Sequence, residues 1–265
     1  MKTSIEWTGY TWNPCTGCTK ISAGCKHCYA EQLSHRLQRM GNARYANGFK
    51  LTLHWDKVGD PTRWRDSRRI FVNSMSDLLH LDVPNDFIMD VFETMGARAP
   101  WHEYQVLTKR ADRWPETDRA VLKRFGRWPS NIVPAVTVEN RKTMHRAEHL
   151  AQVGDHVTVR MVSVEPLLED LGKPDEIANW LLANRIGWLV SGGESGWSAR
   201  AASIDWFRHL RDGCRRAGVP YFHKQHGGRG VTEESKLGGE LATIDGELHK
   251  ALPTVRIPSQ QGVMV

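Results

Sequence analysis

Four of the five cysteines, Cys15, Cys18, Cys25 and Cys28, fall within one run, CTGCTKISAGCKHC. In a chain expected to occupy a reducing compartment, such clustering points to metal rather than to a disulfide framework. Two chemistries compete for it. A structural zinc takes four thiolates in a closed tetrahedron, and two CxxC pairs supply them. The six residues between Cys18 and Cys25 are fewer than the ~15 to 20 usual between paired knuckles. An iron–sulfur cluster is also held by thiolates, and short runs ending in CxxC are typical of it. If only Cys18, Cys25 and Cys28 bind, a four-iron cluster keeps one iron open to a substrate or cofactor. The fifth thiol, Cys214, stands alone in a helical stretch and reads as inert and buried.

A second set of reactive groups follows the apolar runs. Runs of strand length recur at Ile70 to Met75, Tyr104 to Thr108, Ile132 to Val138, Val157 to Val164, Gly187 to Ser191 and Val219 to Lys224. Their ends carry Ser74, Ser76 and Asp77, then Lys109 and Arg110, then Glu139 and Asn140, then Ser163 and Glu165, then Gly192, Gly193 and Glu194, and finally Lys224. In α/β barrels the reacting groups come from the C-terminal ends of strands, so the recurrence implies a polar ligand across the mouth. The Gly192-Gly193 pair either lets backbone approach a ligand or ends a strand in a tight turn. It lacks the G-x-G-x-x-G spacing, so a Rossmann nucleotide crevice is not supported.

The elements that must position these groups alternate. Most of the apolar runs are near-continuous, as strands covered on both faces should be. Between them lie stretches with helix signals: Ala30 to Met40, the segment opened by Asn85, the one opened by Glu139 and Asn140, and the one opened by Ser203 and Asp205 that stops at Gly218. Six or seven such βα repeats predict a partial or full (βα) barrel over residues 1–226, including the cysteine loop 15–28. After His226 the chain turns glycine-rich and loses periodicity, which predicts an irregular C-terminal extension, 227–265, packed on one rim.

Composition bounds the partners. The 265 residues are 40% hydrophobic and 25% charged, the balance of a globular protein with enough chain for a core without disulfides. The formal net charge of +6 fits a polyanionic partner such as nucleic acid. Several of the eleven tryptophans neighbour arginines: Trp64 beside Arg63 and Arg65, Trp114 after Arg113, Trp128 after Arg127. Either these hold phosphates and stack bases, or the tryptophans are core and rim residues beneath a solvated arginine face. No stretch reaches the ~18 apolar residues of a membrane span, and the N-terminus has no apolar signal region. The expectation is a cytoplasmic protein without a membrane partner.

The cysteine loop ahead of an α/β pattern resembles the radical S-adenosylmethionine enzymes, although six residues separate the first two ligands here where that superfamily usually has three. A closer resemblance rests on IEWTGYTWNPCTGCTKISAGCKHCYAEQLSHRL, FVNSMSDLLH, LTKR, SVEPLLEDL, WLVSGGESGWSARAA and AGVPYFHKQHGG. In this order, from Ile5 to about Pro253, they look like the phage and prophage proteins with a three-cysteine motif grouped as a radical-SAM-like family of unknown function. The resemblance implies a barrel of the radical-SAM type, a [4Fe-4S] cluster on Cys18, Cys25 and Cys28, S-adenosylmethionine, and an electron donor of flavodoxin or ferredoxin type. The position of Cys15 is commonly apolar in that family, which sets Cys15 outside the ligand set.

Roles follow on that basis. S-adenosylmethionine chelates the open iron, and its reductive cleavage releases a 5′-deoxyadenosyl radical that abstracts hydrogen from the substrate. Ser74, Ser76 and Asp77 suit its ammonium, Lys109 its carboxylate, Ser163 and Glu165 its ribose, while Gly192, Gly193 and Glu194 offer close approach and an acceptor. Lys224 suits a substrate phosphate or carboxylate, and Arg63 and Arg65 a nucleic-acid backbone. His27 and Tyr29 flank the last ligand and either pack near the adenine or support the loop. No catalytic side chain is singled out. The substrate expectation is a nucleic acid base or modified nucleoside, as in phage DNA hypermodification. The rival class is a zinc-stabilised, non-catalytic nucleic-acid-binding protein in which Cys15 completes the tetrahedron.

Overall fold

Valine, isoleucine and aromatic residues dominate the apolar runs and suit a pleated, doubly covered surface. In the computed structural model, which describes residues 2–154, 156–228 and 240–258, these runs become strands that alternate with helices. The order is β1 (Tyr10–Trp12), β2 (Cys15–Thr16), α1 (Tyr29–Arg39), β3 (Thr52–Leu53), β4 (Arg69–Val72), α2 (Asn85–Glu93), β5 (Glu103–Thr108), α3 (Trp114–Phe125) and β6 (Ile132–Thr137). It continues with α4 (Arg146–Ala151), β7 (Met161–Val164), α5 (Pro174–Ala183), β8 (Trp188–Ser191), α6 (Ile204–Ala217), β9 (Tyr221–His223), β10 (Thr243–Ile244) and β11 (Glu247–Leu248).

Seven strands form one sheet in the linear order β1-β4-β5-β6-β7-β8-β9, with parallel pairing of β1 to β4, β4 to β5, β7 to β8 and β8 to β9. Sequential parallel strands joined by helices make this a mixed α/β protein. The linear order, with β1 and β9 at its edges, narrows the expectation of a partial or full barrel to a partial (βα) arrangement. No described helix is long and apolar enough to cross a membrane.

The chain divides into two compact units, the first division along the sequence falling after Ala135. One takes the chain up to Ala135 with Gln152–Thr158 and the stretch from Val255; the other takes Val136–Ala151 and Val159–Thr254. Of the expected C-terminal extension, residues 229–239 and 259–265 lie outside the described residues. Within it, β10 and β11 pair antiparallel across Asp245-Gly246, both at positive φ, as a two-residue hairpin requires.

In the first unit the core gathers Ile70, Val72, Val106, Phe87, Phe92, Trp114 and Trp128, all buried. The Phe92 and Trp128 rings stand edge-on at 5.7 Å and those of Trp114 and Trp128 at 6.1 Å. Each indole N–H finds a carbonyl, Ala135 O for Trp114 and Ile132 O for Trp128, as a buried tryptophan must. These two tryptophans are therefore core residues, and the base-stacking alternative does not apply to them. In the second unit α5 crosses α6 closely, since a Cβ on Gly213 would meet Ile177 Cγ2 at 2.5 Å. Ser203 caps α6 by accepting from Asp205 N, and Gly218 at φ +68° ends it.

Candidate functional site

The cysteine loop begins at a strained, tightly held point in the first unit. Gly17 takes φ +83°, and a Cβ there would lie 2.2 Å from Lys50 O, so only glycine fits. Its N–H donates to Met75 O at 3.0 Å and that of Cys18 to Phe49 O at 3.1 Å. The sulfur of Cys18 thus leaves a backbone fixed from two sides. Cys25 closes a short 3-10 turn and Cys28 sits at the N-cap of α1. All three thiols are half-buried and in no disulfide. Burial first, then the nearby Asp77 carboxylate, raises the Cys18 pKa above its ordinary value; Cys25 adds a further push upward.

Cys15 stands apart from them. It is fully buried, accepts from Asn73 Nδ2 at 2.9 Å and lies 3.2 Å from Ser76 Oγ, which itself donates to Cys15 O. Burial pushes its thiol up to about 12. At neutral pH it is a protonated hydrogen-bonding group that ties β2 to the loop after β4. That loop starts where Asn73 turns to φ 65°, which ends β4 three residues before the apolar run does.

Asp77 and Arg110 form the best-enclosed charged pair of the loop region. Asp77 Oδ1 accepts from Leu79 N at 3.0 Å and Thr108 Oγ1 at 2.7 Å, and Oδ2 from Lys109 N at 3.1 Å and Arg110 Nη1 at 3.0 Å. Both oxygens are taken, so a ligand ammonium would have to displace one of these donors. Arg110 in turn holds the cysteine loop: Nη1 lies 3.5 Å from Cys18 Sγ, and Nη2 donates to Thr19 O at 3.0 Å and Thr19 Oγ1 at 2.8 Å. Burial works against the guanidinium charge, but Asp77 and Cys18 more than offset it, and its pKa is raised. His80 accepts from Asp82 N at Nδ1, so its Nε2 carries the proton donated to Thr19 Oγ1 at 2.8 Å.

The other predicted residues of this unit are placed as follows. Ser74 pairs its hydroxyl with the Asn13 side chain, and Met75 N donates to Asn13 Oδ1 at 2.9 Å. Tyr29 donates its hydroxyl to Ser74 O, which makes it a support of the loop. Lys109 engages Asp77 through its backbone, and its side chain is half-buried. Arg63 is exposed, 3.9 Å from Asp60, and Arg65 is exposed beside it. Trp64 is covered on one face by Arg68, whose guanidinium also lies 4.4 Å over the Tyr10 ring.

In the second unit the segments after β6, β7 and β8 each carry a carboxylate matched to a cation. Glu139, fully buried after β6, lies 3.7 Å from Arg146, which donates to Thr137 O at 2.8 Å. Glu165 after β7 accepts from Lys224 after β9, so Lys224 is neutralised rather than a lone rim cation. Glu194 after β8 takes Arg200 N and Nε at 2.9 Å and Nη2 at 2.6 Å. Gly193 is sterically required, since a Cβ there would sit only 1.8 Å from His226 O, whereas one on Gly192 would meet the Glu165 side chain at 3.3 Å, a tight contact that a small shift of that side chain relieves. Ser163 is buried, its carbonyl accepting from Val138 N at 2.9 Å.

The residues of this network to which the sequence assigned no role are Arg110 and Asn73, both at strand ends, together with Thr19, His80 and Asn13. Arg110 lies beyond the end of β5 at Thr108, at the cap of the short 3-10 turn Ala111–Arg113, so strand alternation does not say which way its side chain turns.

Three free, half-exposed thiols within eleven residues of one loop are the donor type that an iron–sulfur cluster uses. Among the described residues no three histidine, cysteine or acidic side chains converge into a metal-holding group.

The family described as a protein of unknown function, DUF5131, matches residues 2–253. The chain belongs to that family. No curated protein matches the chain.

Proposed function

We propose that this member of DUF5131 is a radical S-adenosylmethionine enzyme of the partial-barrel type, with Cys18, Cys25 and Cys28 as ligands of a [4Fe-4S] cluster. The observation that carries the reading is the division of the four loop cysteines. Three are half-exposed on one loop, while Cys15 is a buried neutral thiol already bonded to Asn73 and Ser76. A closed four-thiolate zinc site needs Cys15, and its extraction would break those bonds; this speaks against the zinc-stabilised binding module. The chemistry such a cluster supplies when bound is one-electron reduction of the sulfonium of S-adenosylmethionine.

The chain's own residues prepare the loop. Asp77 keeps Arg110 charged and oriented, and Arg110 fixes Thr19 and faces the Cys18 sulfur with a positive charge. Ion pairing at Glu165–Lys224 and Glu194–Arg200 leaves the strand ends of the second unit polar and neutral, suited to a zwitterionic or sugar-bearing ligand. The proposed substrate is a nucleic acid base or a modified nucleoside, with Arg63 and Arg65 toward its phosphates, the proposed compartment is the cytoplasm, and an electron donor of flavodoxin or ferredoxin type completes the cycle.

Mass spectrometry for 5′-deoxyadenosine after anaerobic incubation with S-adenosylmethionine and a reductant, with and without phage or host DNA, tests this. Formation of 5′-deoxyadenosine that rises with DNA is expected. No 5′-deoxyadenosine from iron-loaded protein would overturn the enzymatic reading.

A further inference from the structure

Two oppositely charged stretches adjoin within the first unit. Residues 19–50 carry Lys20, Lys26, Arg36, Arg39, Arg44 and Lys50 against one acid, Glu31, a net +5. Residues 81–90 carry Asp82, Asp86 and Asp90 with no base, a net −3. Lys26, Arg36 and Arg39 on one side and Asp82, Asp86 and Asp90 on the other are all exposed. The stretches meet where His80 Nε2 donates to Thr19 Oγ1 at 2.8 Å. Both belong to the unit that takes the chain up to Ala135.

The acidic side is held in place by its neighbours. Arg113 donates to His80 O and to Asn85 Oδ1, each at 2.6 Å, and Asn85 donates to Glu116 Oε1 at 2.7 Å. Arg113 is thus engaged with the loop, while Asp112 and Glu116 stand exposed on either side of it in the chain.

Apolar side chains stand out on both sides. On the acidic side Leu81 is 69% exposed, and Trp55, edge-on to the Phe87 ring at 4.8 Å, is 51% exposed. On the basic side Met40 is 69% exposed, and Ile21 and Leu33 are exposed as well. Apolar groups rimmed by charge mark protein contacts. A polyanion or an acidic protein would neutralise the basic side but meet like charge at Asp82 and Asp86. A surface that satisfies both signs at once is a copy of the same surface. About a two-fold axis on the line between the stretches, each basic stretch faces an acidic one, the self-complementary form of a closed dimer.

We propose that this face is a homodimer interface, in which the basic stretch of each protomer lies against the acidic stretch of its partner and the exposed apolar side chains are covered between them. The interface requires neither a cluster nor a substrate.

Sedimentation equilibrium of the full chain at low and at physiological salt tests it. A dimer at low salt and about 100 μM protein, dissociating as salt rises, is expected. Lys26→Glu, Arg36→Glu and Arg39→Glu together should weaken it roughly tenfold or more, and so should Asp82→Lys, Asp86→Lys and Asp90→Lys together. Mixed with each other, the two triple variants should associate again, because both contacts of the mixed pair then join opposite charges. A single chain with all six reversals should dimerise on its own, which also shows that the reversals leave the fold intact. Arg127→Glu, an exposed charge past the C-terminal end of α3, should change nothing. A chain that stays monomeric at low salt, a dimer indifferent to both triple variants, or a mixture no more associated than its parts would overturn the interface. So would species that grow without limit as concentration rises, since an open head-to-tail contact is not a closed two-fold.

Discussion

Replacing Arg110 by methionine removes the cation from a pair that is almost wholly enclosed, the two side chains retaining 5% and 8% exposure. Asp77 keeps three donors, the amides of Leu79 and Lys109 and the Thr108 hydroxyl, but loses its countercharge. Breaking a buried pair from one side costs about 3–5 kcal/mol, and the three surviving bonds place Arg110→Met near the lower end, about 3 kcal/mol. Loss of the two bonds to Thr19 adds about 1 kcal/mol, since Thr19 Oγ1 still accepts from His80. The Asp77→Asn, Arg110→Met double variant has no stranded charge, so its loss should be smaller than the sum of the single losses, with a coupling of about 1–3 kcal/mol. Urea denaturation of the four proteins of this cycle, followed by tryptophan fluorescence at constant m-value, measures both figures. A loss below about 1 kcal/mol for Arg110→Met, or strict additivity, would refute the idea that this pair clamps the cysteine loop.

The buried histidine of β9 sets an acid limit. Burial first, then the neighbouring His226, Lys250 and His249, push the His223 pKa down to about 2. The unfolded imidazole takes a proton near pH 6.5 that the folded one refuses. The stability tied to His223 is therefore fully present above that pH and falls by about 1.4 kcal/mol for each unit below it. Between pH 7 and 5, His223→Gln should remove about 2 kcal/mol of the pH dependence of urea stability; a slope equal to that of the unmodified chain would contradict this. Gly17→Ala, at φ +83° with Lys50 O 2.2 Å from the new Cβ, should cost roughly 2–4 kcal/mol, and an unchanged thermal midpoint would show that the loop entrance is not held as described.

The α/β class was legible because near-continuous apolar runs alternate with stretches bearing Asn, Ser and Gly caps, two independent signals that agree. Strand limits were less so: Asn73 takes a left-handed conformation that local composition permits but does not demand. Helices α3 and α5 open on Trp114-Pro115-Glu116 and Pro174-Asp175-Glu176, start signals that lie away from the chemistry-bearing strand ends. The cysteines were legible because residue type and spacing are local. Arg110 was not, because its partner Cys18 lies 92 positions away, and only tertiary structure decides which of two adjacent cations, Lys109 or Arg110, points to it. Trp128 follows Arg127 in sequence yet is buried against Phe92 and Trp114, since neighbours in a chain commonly point to opposite sides. Adjacency of arginine and tryptophan therefore carries no information about a shared surface.

The central claim is that Cys18, Cys25 and Cys28, without Cys15, form the ligand set. Anaerobic reconstitution with iron and sulfide, followed by iron and zinc analysis of the unmodified chain and of the four single alanine variants, tests it most directly. The unmodified chain and Cys15→Ala should each turn brown and hold about four irons, while Cys18→Ala, Cys25→Ala and Cys28→Ala should hold none. A colourless chain with one zinc, lost equally in all four variants, would contradict the claim and return Cys15 to the site.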